Sequence, residues 1–207
     1  MNPDWREMPV QILLMSVRPS FAEMLLAGTK TVEVRRVRPT IGRGDWVLIY
    51  ATSPKKALLG AFQVADVVQT EPARLWSTLG DQTGLSDDAF FSYFRGTGSA
   101  VGIRVGKTVR FEHSLSLASI REHLTGFHPP QSYSYVVPGS DAGNLFLDFA
   151  GGCSGTCAQL VERADLRSRL ASSGSKASAE IYQLSDRSAI MPICRSSSFK
   201  RPTNPGL

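Results

Sequence analysis

A mixed α+β fold, in which barrel-like or meandering strands are interrupted by short helices, is predicted by three features of the 207-residue sequence. Apolar or alternating runs of strand length recur through its first two thirds, at 10–17, 46–51, 58–68 and 100–112. Helix-like stretches between them are all short, and strands outnumber helices. The apolar fraction of 42% suffices for one packed core, so one compact domain is expected, with residues 1–9 as an N-terminal extension, 10–137 as the folded unit and 138–207 as a C-terminal extension.

The elements follow from local chemistry. Residues 10–17, Val-Gln-Ile-Leu-Leu-Met-Ser-Val, form the first strand. Pro19 suits the first turn of a helix that carries Phe21, Ala22, Met24 and Leu25 at helical spacing, and Gly28 terminates it. From Thr31 a strand alternates, with Val32 and Val34 on one face and Thr31, Glu33 and Arg35 on the other. Gly42-Arg43-Gly44-Asp45 is a turn before the strand Trp46 to Ala51, and Leu58 to Val68 reads as a longer strand. Thr70 to Leu79 and Ser86 to Phe94 read as helices, the second N-capped by Ser86 with Asp87 and Asp88 in its first turn. Strands are expected at Ala100 to Val105 and Thr108 to Glu112, joined through Gly106-Lys107, followed by a helix over Ser116 to Leu124. The segment Phe127 to Val137 contains His-Pro-Pro-Gln-Ser-Tyr-Ser-Tyr, and its Tyr133 and Tyr135 share a strand face. Beyond Val137 the chain turns polar, is briefly apolar at Leu145 to Phe149, offers a short charged helix at Val161 to Leu170, and becomes serine-rich, with ten serines among the 31 residues 168–198. That composition predicts a weakly ordered tail.

Several function classes are disfavoured. No apolar run approaches the roughly 20 residues of a membrane span, and Met1 to Pro9 carries charges where a signal peptide is apolar, so a soluble, cytoplasmic protein is expected. Cys153, Cys157 and Cys194 are an odd set fitting neither a disulfide framework nor a zinc site, and His113, His123 and His128 lack metal-ligand spacing. No metal or cofactor is expected. The net charge of +5 is concentrated, because residues 30–56 hold seven basic side chains against Glu33 and Asp45, a local +5 equal to that of the whole chain. Such a field attracts polyanions, of which nucleic acid is the commonest in cells; solubility charge on a loop-rich surface is the alternative.

The run Gly28-Thr-Lys-Thr-Val-Glu-Val-Arg35 clusters Lys30, Glu33 and Arg35 beneath the Pro19 to Ala27 helix. Glu33 and Arg35, side by side on the strand face away from the core, form a charge-assisted pair that fixes the Arg fork, while Lys30 stays a mobile cation. The ordinary alternative is a solvated ion pair worth at most about 1 kcal/mol.

The pattern Gly28-x-Lys30-x-x-Glu33-x-Arg35, placed after a strand and a short helix, resembles the signature of the ASCH domain family within the PUA-like superfamily. Arg36-Val-Arg-Pro39, Gly44-Asp-Trp-Val-Leu-Ile-Tyr50 and Pro129-Pro-Gln-Ser-Tyr133 resemble further blocks of that family in the same order. The resemblance covers about residues 10–137. It implies a small mixed β-barrel with helices at its rim and a cleft beside the signature strand, together with binding of RNA or a modified nucleotide. Relatives with enzymatic activity are ribonucleases, or amidohydrolases that remove the acyl group of acetylcytidine. The latter carry a threonine nucleophile at the place held here by Glu33, and a carboxylate cannot take over its role.

Metal-free RNA cleavage needs a base near the 2′-OH, a cation for the phosphate and an acid at the leaving 5′-oxygen. The catalytic candidates are therefore Tyr50, as hydrogen-bond donor or stacking platform, Lys56, as the cation, and Ser132, a polar member of the cleft that the resemblance implies. Lys30, Glu33, Arg35, Arg36, Lys55 and Tyr133 are expected to bind RNA, with Arg35 gripping a phosphate or a base edge and Tyr133 stacking on a base. Each has a bland alternative: strand-end aromatic, solvated charge, turn serine or core tyrosine. Single-stranded RNA is the expected partner, metal-independent ribonuclease the expected activity, and a non-catalytic reader of a modified base the principal rival. No protein partner is indicated.

Overall fold

A computed structural model of the protein describes residues 11–151. Expectations for residues 1–9, the three cysteines, the Val161 to Leu170 helix and the serine-rich tail lie outside those residues. Six strands, β1 (Ile12–Val17), β2 (Val32–Arg35), β3 (Trp46–Ala51), β4 (Ala57–Thr70), β5 (Ala100–Ser116) and β6 (Tyr133–Tyr135), alternate with helices α1 (Pro19–Ala27), α2 (Pro72–Leu79), α3 (Asp87–Tyr93), α4 (Leu117–His123) and α5 (Asp141–Gly151). The mixed α+β architecture is as expected. The strands make one sheet in the order β2-β5-β4-β3-β1-β6, curled into a half-barrel, with β1 parallel to β3 and the remaining pairs antiparallel.

β1 and β3 are buried throughout, and apolar but for Ser16 and the Tyr50 hydroxyl, because both faces of the central sheet are covered. Leu13, Met15, Val17, Val47 and Ile49 pack with Ala22 and Leu25 of α1. Ile12, Leu14, Trp46, Leu48 and Tyr50 point the other way, against Ile120 of α4 and Phe146, Leu147 and Ala150 of α5. A third cluster joins Val32 and Val34 of β2 to Leu75 and Leu79 of α2, Phe90 of α3 and Phe94 just after it. Gly28 closes α1 in the left-handed conformation at φ 77°, its N–H bonding to Leu25, which turns the chain directly into β2. Asp45 secures the turn before β3 by accepting from the N–H groups of Gln11 and Gly42 at 2.7 Å each.

Two elements differ from expectation. The strands foreseen on either side of Gly106-Lys107 are one 17-residue strand, β5. Gly106 does not adopt a positive φ, and irregularities of register between Leu58 and Asp66 on the facing β4 accommodate the bend without a turn. At one of them Gly60 has no room for a side chain, since a Cβ there would run into Leu26 of α1 and the Val109 carbonyl. The second difference is α5, for which only a brief apolar stretch was foreseen; Ser140 caps it by accepting from the Gly143 N–H at 3.0 Å.

Candidate functional site

Two strand faces and one loop build the site. On β2, alternation sends Val32 and Val34 into the α2/α3 cluster and Glu33 and Arg35 to the opposite side, beside Ile103 and Val101 of β5 in the register. That side is interior as well: Lys30, Glu33 and Arg35 are only 1%, 6% and 8% exposed. The expectations that Glu33 and Arg35 stand on a surface and that Lys30 is mobile are corrected by this burial, because a charge withdrawn from water must be neutralised where it sits. Lys30 Nζ lies 3.2 Å from Glu33 Oε2, donates to the carbonyls of Val32 and Thr83, and stands 5.3 Å from the Phe21 ring of α1. All three of its protons are thereby engaged. Glu33 Oε1 meets Arg35 Nη2 at 2.9 Å.

Arg35 reaches across the open edge of the half-barrel. Its Nη2 donates to the Ser16 carbonyl of β1 at 3.0 Å and its Nη1 to Ser132 Oγ at 3.2 Å, just ahead of β6. β2 and β6 are the two ends of the sheet and share no ladder, so this guanidinium is a side-chain link between them. Gripping an external phosphate is therefore not open to its terminal nitrogens; only the buried Nε lacks a partner. Arg35 instead orients the Ser132 hydroxyl.

Two further candidates, Tyr50 and Ser132, lie beside Ser16. It faces Tyr50 in the β1–β3 register, donates through Oγ to the Pro130 carbonyl at 2.6 Å, and donates through its N–H to the Ser132 carbonyl at 3.0 Å. Tyr50 and Ser132 thus flank one residue. Tyr50 is 2% exposed within the α4/α5 cluster, which corrects the expectation that its ring stacks on a base and leaves only the hydroxyl for chemistry. That hydroxyl has no hydrogen-bond partner among the described residues. Beyond β3, the turn 52–56 delivers Lys56 to solvent at φ +47°, a left-handed conformation rare for a residue with a side chain. Both of its backbone groups are pinned, the N–H to the Thr52 carbonyl at 3.1 Å and the carbonyl by the Leu117 N–H at 2.8 Å. Backbone strain held in place this way is a recurrent property of functional positions.

Residues 15–99 match the family model of the ASCH domain. A protein of Zymomonas mobilis subsp. mobilis named ASCH domain-containing ribonuclease is 33% identical over 125 residues, which span 59% of this chain and 82% of that protein. This chain belongs to the ASCH domain family. The crystal structure of ASCH from Zymomonas mobilis superposes with a TM-score of 0.60 at 30% identity, covering 65% of this chain and 93% of that one. A serine-to-alanine mutant of the Zymomonas mobilis protein gives 0.62 at 27% identity, covering 68% and 96%, and a tyrosine-to-phenylalanine mutant gives 0.61 at 28%, covering 66% and 96%.

Around this ASCH site the other expected residues are dispersed. Lys55 is exposed beside Lys56. Arg36, half-buried, donates Nε to the Tyr93 carbonyl at 2.6 Å and stacks 4.8 Å above the Tyr93 ring. Tyr133 is half-buried against the α1 side of the sheet, edge-on to Tyr135 at 6.2 Å, so core packing already occupies part of the ring foreseen as a base platform. Ser16 and Arg121 were not foreseen: serine in an apolar strand and arginine in a short helix carry no motif. No group of three or more His, Cys, Asp or Glu residues is placed to hold a metal among the described residues. Among them, too, no helix is long and apolar enough to cross a membrane.

Burial lifts the Tyr50 phenol above its ordinary value of 10, opposed by the charge of Arg121. Tyr93 is raised as well, chiefly by burial, with Glu33 adding to the effect and Arg35 and Arg36 opposing it. Both phenols stay protonated in the ASCH fold where an unfolded chain would begin to lose the proton, so their contribution is full below pH 10 and is lost as pH climbs through the folded values. The melting temperature should fall above pH 10, and Tyr50→Phe and Tyr93→Phe should each flatten that fall; thermal scans across the alkaline range measure it. An unchanged slope in both variants would refute the assignment.

Proposed function

We propose that this ASCH domain binds single-stranded RNA and cleaves it without a metal ion, through attack of the 2′-OH on the adjacent phosphate. The 2′-oxygen bonds to phosphorus as the P–O5′ bond breaks, the 2′-OH proton passing to solvent water; Lys56 stabilises the charge that builds on the phosphate oxygens, the protonated Tyr50 hydroxyl donates to the phosphate or the departing 5′-oxygen, and Ser132, oriented by Arg35, hydrogen-bonds the ribose or phosphate. The observation that carries this reading is the solvent-facing Lys56, locked in a left-handed backbone just beyond the strand that carries Tyr50. Support also comes from the Zymomonas mobilis relative, which is named a ribonuclease and of which a tyrosine and a serine mutant have been crystallised. Lys30 and Glu33 serve the site indirectly, by holding Arg35. Glu33, tied to both cations, leaves no nucleophile for acetylcytidine hydrolysis at that position.

Incubating the protein with end-labelled single-stranded RNA in EDTA should yield fragments ending in 2′,3′-cyclic phosphate, while DNA of the same sequence stays whole. RNA that is bound but left intact would favour a non-catalytic reader and remove the nuclease assignment.

A further inference from the structure

We infer that Arg121, on α4, anchors a backbone phosphate of the RNA next to the one that Lys56 faces; this rests on the RNA-binding reading above. The position of α4 provides the first argument. Its leading residue, Leu117, donates its N–H to the Lys56 carbonyl, and Arg121, four residues on, lies on the same face of the helix. The second is the tether of the side chain. Arg121 Nε donates to the Phe127 carbonyl at 3.0 Å, at the start of the segment in which Pro130 receives the Ser16 hydroxyl and which ends at Ser132. Helix α4 is thus tied to the Lys56 turn through Leu117 and to the segment leading to Ser132 through Arg121.

Charge accounting supplies the third argument. Lys30 and Arg35 are both paired with Glu33, and Arg110 is paired with Glu23. Arg121 is exposed, and among the described residues it has no ion pair and no partner for its terminal nitrogens. A guanidinium held at Nε keeps its two terminal NH2 groups pointing outward as a fork, the geometry that suits two oxygens of one phosphate. Its field also reaches Tyr50, in keeping with a location beside the reacting groups.

Binding of a fluorescent single-stranded oligoribonucleotide to the full-length protein, measured against potassium chloride for the wild type, Arg121→Gln and Arg121→Lys, tests the assignment. Each phosphate neutralised on a single strand contributes about 0.7 to the slope of log affinity against log salt. Arg121→Gln should weaken binding about tenfold at low salt and lower the slope by about 0.7, whereas Arg121→Lys should keep the wild-type slope. A wild-type slope in Arg121→Gln, with the wild type binding RNA normally, overturns this inference and leaves the proposed function standing. Arg121→Lys falling as far as Arg121→Gln marks the residue as a brace for the loop and equally overturns it. A wild type that does not bind RNA defeats the proposed function and this inference together.

Discussion

Glu33→Gln should destabilise the fold by roughly 3–5 kcal/mol, the cost typical of removing one partner from a buried ion pair. One carboxylate pairs with two enclosed cations here, Lys30 at 3.2 Å and Arg35 at 2.9 Å, and all three side chains are at least nine-tenths removed from solvent. The glutamine amide preserves the shape but supplies no charge, leaving a buried ammonium and a buried guanidinium without a counter-charge. Urea unfolding at neutral pH measures the effect. Lys30→Met alone should be milder than Glu33→Gln, since it leaves the Glu33–Arg35 pair intact and fills the space with an apolar chain. A loss below about 1 kcal/mol for Glu33→Gln, the range of exposed pairs, would show that the trio is solvated and not buried.

Lys56→Ala should lower the rate of RNA cleavage by about a hundredfold or more while leaving the unfolding free energy within about 1 kcal/mol of the wild type, because one preorganised donor at a developing anion is commonly worth that much and an exposed side chain contributes little to packing. Lys56→Arg keeps the charge and should recover part of the rate. Lys56→Gly is the informative control: glycine accepts φ +47° without strain, so this variant should be as inactive as Lys56→Ala and at least as stable. Full activity in Lys56→Ala would place the phosphate elsewhere. Partial activity restored by arginine but absent with glycine would tie the effect to the charge and not to the backbone.

The parts of the fold that follow from local rules were legible in the sequence. The mainly apolar runs of β1 and β3 announced strands, Pro19 and Gly28 bracketed α1, and Ser86 capped α3. α5 had a readable cap in Ser140 and an acidic first turn in Asp141, but the polar residues around it masked the helical spacing of Ala142, Phe146 and Phe149. The single long β5 was not legible at Gly106, because whether a glycine turns or continues a strand depends on what pairs with it. In the site, the alternation of β2 correctly separated Val32 and Val34 from Glu33 and Arg35. Which of those faces meets water is a property of the curled sheet, since the far side of β2 looks toward β1 and β6, over ninety residues away from β6 in the chain. Arg121 escaped notice for the same reason: its neighbours Lys56 and Phe127 come from separate segments.

The guanidinium of Arg35 laces the seam between the two ends of the sheet and aims the Ser132 hydroxyl with the same pair of nitrogens. Tolerance to mutation should therefore be lopsided across the cleft. A library randomised at Arg35 or Ser132 trades stability against catalysis at every step, whereas one confined to residues 53–55, at the surface and short of Lys56, explores new substrates with the scaffold left whole.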